Sequence, residues 1–194
     1  MVVVLVLIGI LACGVVAGLV LRPKARAAQD AYARQVRALA ARTGWRSDRA
    51  PVPNPQVAFP GIDEVLGSSA HHGIQVTLRL SGPWRGVPVR VLQLRYRMDQ
   101  VAYTTSDAAT MVLVPRPAPG PSLVLRGPDD YDRLRALPPP LAQELAGDLR
   151  MQGRALFFTD EHVAAVVPGE LAQPDVIVAT ADLLADLTQR LKVR

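Results

Sequence analysis

With 194 residues, the chain is long enough for one domain with its own core, and its single cysteine rules out an internal disulfide. The net charge of +5 lies entirely near the N-terminus: residues 1–60 hold eight basic residues against two acidic ones, and residues 61–194 hold fourteen against fifteen. A nucleic-acid binder carries its basic excess on the folded domain, so that class is set aside, and 20 arginines against 2 lysines is a compositional bias rather than a sign of phosphate binding.

Residues 2–21, VVVLVLIGILACGVVAGLVL, contain no charge and no strongly polar side chain. As a helix they rise roughly 30 Å, the thickness of a bilayer core, and predict a transmembrane helix over 1–22. The stretch ILACG around Cys13 has the outline of a lipoprotein signal. However, no Lys or Arg precedes it, Leu11 stands two residues before the cysteine, and eight apolar residues follow. Cys13 therefore reads as an ordinary intramembrane residue. Basic residues beside a membrane segment stay on the cytoplasmic side, and Arg22, Lys24, Arg26, Arg34 and Arg37 all follow the run. The expectation is a single-pass protein of the cell membrane with its N-terminus outside, its domain in the cytoplasm and its basic segment drawn to the lipid bilayer. Gly14 and Gly18 form a small-xxx-small spacing at which a second copy of the helix can approach, so a homodimer through this segment is one expected association.

Residues 23–60 form a basic juxtamembrane segment. KARAAQDAYARQVRALAART predicts a stalk helix with Tyr32, Val36 and Leu39 on one stripe and Gly44 as its stop. PVPNPQVAFPG, residues 51–61, carries four prolines and predicts an extended linker. From residue 61 the chain predicts an α+β domain. Ile74, Val76, Leu78 and Leu80 alternate with Gln75, Thr77 and Arg79 in a strand that stops at SGPWRG. PVRVLQLRYRM then places Leu92, Leu94, Tyr96 and Met98 on one face and Arg95 and Arg97 on the other. The pair reads as a hairpin with one buried and one wet face. VAYTT and TMVLVP predict a further pair turning at Ser106 and Asp107, and SLVLRG predicts a short strand. PPPLAQELAGDLR is a helix with Leu141, Leu145 and Leu149 on one stripe, RALFFTDEHVAAVVPG a hairpin turning at Asp160 and Glu161, and TADLLADLTQRLKV a last helix capped by Thr180. The sum is a mostly antiparallel sheet of about five to seven strands with two or more helices over one face.

The membrane helix, the helix ending in Gly44 and Trp45, the run GPWRGVPVRVLQLRYR and a hairpin reading HVAAV together resemble a set of membrane-anchored actinobacterial proteins to which no activity is attached. Leu94 stands where those relatives often have an aromatic residue. The resemblance implies a membrane-anchored domain of this plan and no functional residues.

Candidate chemistry is sparse. His71 and His72 are adjacent in an extended stretch, so their side chains point apart. With Asp160, Glu161 and His162 they make a metal-assisted hydrolase the most distant of the readings, because no spacing of the HExxH kind accompanies them. Asp129, Asp130 and Asp132 complement the dipole of a short helix at YDRLRAL, and Arg133 and Leu134 interrupt any calcium loop. Ser68 and Ser69 lie in LGSSAHHG without a GxSxG frame, and no phosphate-cradling glycine motif occurs. No catalytic residue, metal ligand or cofactor is assigned. Among Arg79, Arg90, Arg95 and Arg97, the residues Arg79, Arg95 and Arg97 are expected to share one sheet face as a basic spot for an anionic ligand or lipid headgroup. The first expectation is a membrane-anchored binding or scaffold module that meets a protein partner, such as an accessory subunit of a larger membrane assembly. The second is a sensor of anionic ligands or headgroups.

Overall fold

The computed structural model describes residues 31, 32, 34–47, 54–67, 73–99, 104–169 and 172–192. The chain divides into two compact units, Met1–Ala40 and Ala41–Arg194. No helix among the described residues is long and apolar enough to cross a membrane, and the run 2–21 that carries that expectation, with Cys13, Gly14 and Gly18, lies outside them.

Helix α1 (residues 34–43) stops as expected at Gly44, whose φ of +74° is the left-handed conformation that closes a helix without a Cβ penalty. The second unit is α+β and is built on one seven-stranded antiparallel sheet. Its strands are β1 (Arg46–Ser47), β2 (Gln75–Trp84), β3 (Val87–Asp99), β4 (Thr104–Pro115), β5 (Leu123–Leu125), β6 (Ala155–Phe158) and β7 (His162–Pro168), in the spatial order β1-β2-β3-β4-β7-β6-β5. The helices are α2 (Pro55–Ala58), α3 (Ile62–Leu66), α4 (Tyr131–Leu134), α5 (Pro139–Gly147) and α6 (Pro174–Lys192), with a 3-10 turn at Leu149–Met151.

Several element bounds differ from the expectation. The proline-rich stretch is not wholly extended, because Asn54 accepts a hydrogen bond from the Gln56 amide at 3.0 Å and Pro55 takes the first helical position, where its missing N–H costs nothing. The first hairpin turns only at Arg85 and Gly86, both at positive φ, so Ser81 to Trp84 extend β2 instead of ending it. Ser106 and Asp107 lie inside one continuous β4, paired with Arg97 and Tyr96. Helix α6 starts six residues before Thr180, which is buried within it, donates to the Val176 carbonyl at 2.6 Å and accepts from Arg154 Nε at 2.8 Å.

Both sheet faces are covered. On the first, Phe59, Ile62 and Leu66 of the α2–α3 segment pack on Leu92, Leu94, Tyr96, Met111, Phe157 and Val166. On the opposite face α6 packs against β2, β3, β4 and β7. The consequence is legible in β3, where Val91, Leu92, Gln93 and Leu94 are all buried in succession. The hairpin expected to have one wet face is exposed at its two ends, at Gln75, Thr77, Arg95 and Arg97 and again at Pro83, Arg85, Gly86 and Pro88, and is covered between them.

Candidate functional site

A β-bulge decides which side chains share a face. Val76 lies opposite Leu94 and Leu78 opposite Gln93, so Thr77 is an extra residue on β2. Every side chain beyond it changes face, because strand side chains alternate with a period of two. Leu78 and Leu80 leave the Leu92–Leu94 face for the α6 face, and Arg79 moves the other way, directly opposite Leu92. Arg95 lies opposite Gln75 and Arg97 two residues further on, both exposed and both on the face opposite to Arg79. The expected basic spot of Arg79, Arg95 and Arg97 is therefore split between two sides of the sheet.

The same register change assembles a different site. Ser81 pairs with Arg90 and Arg90 with Leu113. In the next row, Pro83 pairs with Pro88 and Pro115 with His162. The β3–β4 ladder ends at the Arg90–Leu113 pair, and Pro88 and Pro115 lie beyond it and line the same cleft. These two rows, on the Leu92–Leu94 face at the hairpin end, line a cleft of about 640 Å³. Its side-chain walls are Pro83, Pro88, Pro115 and Leu113, with Ser81, Arg90 and His162 as polar groups. A proline ring has almost no rotamer freedom to lose, so this wall is preformed. Proline also cannot donate to a ladder, and here it stands at the ends of β2, β3 and β4, where the sheet tolerates it.

His162 is held by the β6–β7 turn. The Thr159 amide donates to the His162 carbonyl at 2.9 Å, and the His162 amide donates to Thr159 Oγ1 at 3.0 Å. The Phe59 ring lies 6.3 Å from the imidazole, which places the α2–α3 segment beside the site. Burial lowers the His162 pKa from its ordinary value. Glu161, with Oε2 3.8 Å from Nδ1, works against that shift and Arg90 adds to it. The imidazole is therefore uncharged at neutral pH, with one N–H to donate and one lone pair to accept. Arg90 is the one fully charged side chain among the residues lining the cleft.

The other candidates are placed as follows. Asp160 and Glu161 occupy the expected turn beside His162. His71, His72, Ser68 and Ser69 lie outside the described residues, among which no group of three or more His, Cys, Asp or Glu side chains is placed to hold a metal. Asp130 accepts from the Arg126 amide at 3.2 Å and lies 3.9 Å from Arg133 Nε, while Asp132 lies 3.8 Å from Arg135. Asp130 ties down the approach to α4, and Asp129, Asp130, Arg126 and Arg133 line a shallower depression of about 380 Å³.

On the α6 face a second polar cluster fastens the first hairpin to the last helix. Arg85 Nε lies 2.9 Å from Asp182, Arg150 bridges Asp186 and Asp148 at 2.7 Å each, and Trp84 donates to Asp182. Its hydrogen bonds to Arg150 hold the Asp148 carboxyl below its ordinary pKa. The sequence reading missed this cluster, because it placed Trp84 and Arg85 in a loop, and it missed the cleft for the same reason. The available signal was the set of three prolines at strand ends within two residues of Arg90 or His162 in the ladder.

No family model matches the chain, and no curated protein or solved structure matches it either.

Proposed function

We propose that the chain is a membrane-anchored binding module whose α+β domain seats a ligand in the cleft between Ser81, Arg90 and His162, and that it works as an accessory subunit of a membrane assembly. The observation that carries the reading is the cleft itself: a concave, proline-walled volume in the range of small-molecule sites, with a few convergent polar groups. The membrane anchor rests on the apolar run 2–21 and the basic residues that follow it. The test is co-purification of the full-length chain, tagged at its C-terminus, from native membranes in mild detergent. An unrelated membrane segment replaces residues 2–21 in the control. A partner recovered in fixed ratio and lost on the swap supports the accessory-subunit reading, and recovery of the chain alone under both conditions overturns it.

The headgroup-sensing alternative keeps one specific observation, the exposure of Arg95 and Arg97 on the same sheet face. Vesicle sedimentation of the full chain and of Arg95→Glu/Arg97→Glu separates it from the first reading, since only headgroup sensing predicts loss of binding in the variant.

A further inference from the structure

At the far end of β3 two like charges stand side by side. Arg95 and Arg97 are exposed and lie two residues apart on one face, so their side chains leave the sheet roughly 7 Å from each other. Their ladder partners are Gln75, Ala108 and Ser106, none of which carries a charge. Among the described residues neither guanidinium has an ion pair or a side-chain hydrogen bond. Asp99 follows on the same face at the strand end, one acid against two bases.

Helix α6 stops short of the pair. The Ala172 amide donates to Thr110 Oγ1 at 3.0 Å, and Thr110 pairs with Gln93, so the approach to the helix meets the sheet one row before Arg95. From there α6 runs towards the hairpin tip, where Trp84 meets Asp182. The cleft lies at the other end and on the other face, with Pro88 roughly 23 Å from Arg95 along β3.

Resting on the reading of the chain as membrane-anchored, we infer that Arg95 and Arg97 dock the domain on the anionic surface of the bilayer that holds it, which turns the cleft away from the membrane and towards a partner in solution. Anionic headgroups complement an unpaired pair of cations, and a tethered surface meets that pair at an effective concentration that a free acidic protein does not reach. The anchor supplies the membrane affinity, and the arginine pair sets how the domain lies. This distinguishes docking from headgroup sensing, in which the pair itself carries the binding.

The test uses the full-length chain with Cys13→Ala, in nanodiscs of phosphatidylcholine with and without phosphatidylglycerol, whose headgroups carry a spin label. A fluorophore is attached through Gln75→Cys, beside Arg95, or through Pro88→Cys, in the cleft. The expected result is quenching at position 75 and not at position 88, only in discs that contain phosphatidylglycerol, and weaker as salt rises. Arg95→Gln/Arg97→Gln should lower the docked-to-free ratio by about thirtyfold and either single change by about fivefold, as the attraction of each cation to an anionic leaflet predicts. Thermal melting checks that each variant is folded, and the single changes keep the test usable if the double variant is not.

Quenching at position 88, alone or together with position 75, overturns the orientation. Quenching at position 75 that ignores lipid charge or survives Arg95→Gln/Arg97→Gln overturns the role of the pair. Absence of quenching at both positions overturns the docking and leaves the pair to an acidic protein. The anchor is read separately, from retention of the chain in proteoliposomes after a carbonate wash. A retained chain without quenching at position 75 defeats the docking alone, and a released chain overturns the anchor and the docking with it.

Discussion

Trp84 donates its indole N–H to Asp182 at 2.9 Å, joining residues 98 positions apart in the chain. The bond fastens the tip of the β2–β3 hairpin to the middle of α6. The carboxylate is shared with Arg85, a residue held at a φ of +48° that an L side chain seldom adopts. Asp182→Ala leaves a half-buried indole N–H without its acceptor and Arg85 without one partner. The expected loss is about 1–3 kcal/mol. Asp182→Asn keeps an acceptor for Trp84 and should lose less. Urea unfolding of the two variants side by side measures the difference, and equal losses would mean that the indole bond contributes nothing.

The lowered pKa of His162 predicts a particular dependence on acid. In the unfolded chain the imidazole titrates near 6.5, whereas in the folded chain burial holds it below that value. The folded state therefore binds fewer protons in that window. The stability contributed by the neutral imidazole is complete above pH 6.5 and is lost as pH falls through the folded value. Unfolding free energy measured from about pH 7.5 to about pH 5 should fall more steeply in the wild type than in His162→Gln, which has no titrating group there. Parallel curves would show that burial at His162 is not what shifts its titration.

Thr77 is the extra residue of the bulge, and its hydroxyl donates to the Gln93 carbonyl at 3.4 Å. Deleting it joins Val76 to Leu78 in plain alternation without turning any downstream side chain over. The loss should stay near the single hydrogen bond, about 1 kcal/mol. Deleting Leu92 from β3 instead turns buried side chains to the wrong face and should prevent folding. Thermal melts of the two deletions decide this, and comparable damage from both would contradict the bulge assignment.

Phe59 is buried against Phe157, with ring centroids 6.1 Å apart, and it borders His162. Phe59→Ala removes the anchor of the α2–α3 segment and should cost about 3–5 kcal/mol. Urea unfolding measures the loss, and a loss below about 1 kcal/mol would show that Phe59 does not anchor the segment.

The sequence determined the elements whose periodicity is local. The stop at Gly44, the strands around Val91, Val112 and Val163, the turn at Asp160 and Glu161, and an antiparallel α+β plan all follow from alternation and from turn chemistry, which depend on neighbours in the chain. It determined less where an interaction reaches far along the chain. Asn54 and Pro55 start a helix inside a stretch whose proline content argues for extension, and the burial of Phe59 on Phe157 gives that helix a place to pack. The expectation of a wet sheet face failed at Gln93 and Val91 because α6, some eighty residues later, covers them.

Only the tertiary structure decided the site. Arg79, Arg95 and Arg97 look equivalent in a period-two reading, and one bulged threonine separates the first from the other two. Arg90 and His162 stand 72 positions apart, and nothing local to either predicts the ladder rows that bring them to one cleft. Side-chain facing is set by strand register. Register is fixed by pairing between strands, so a chain read one window at a time can propose strands but cannot say which of their residues meet.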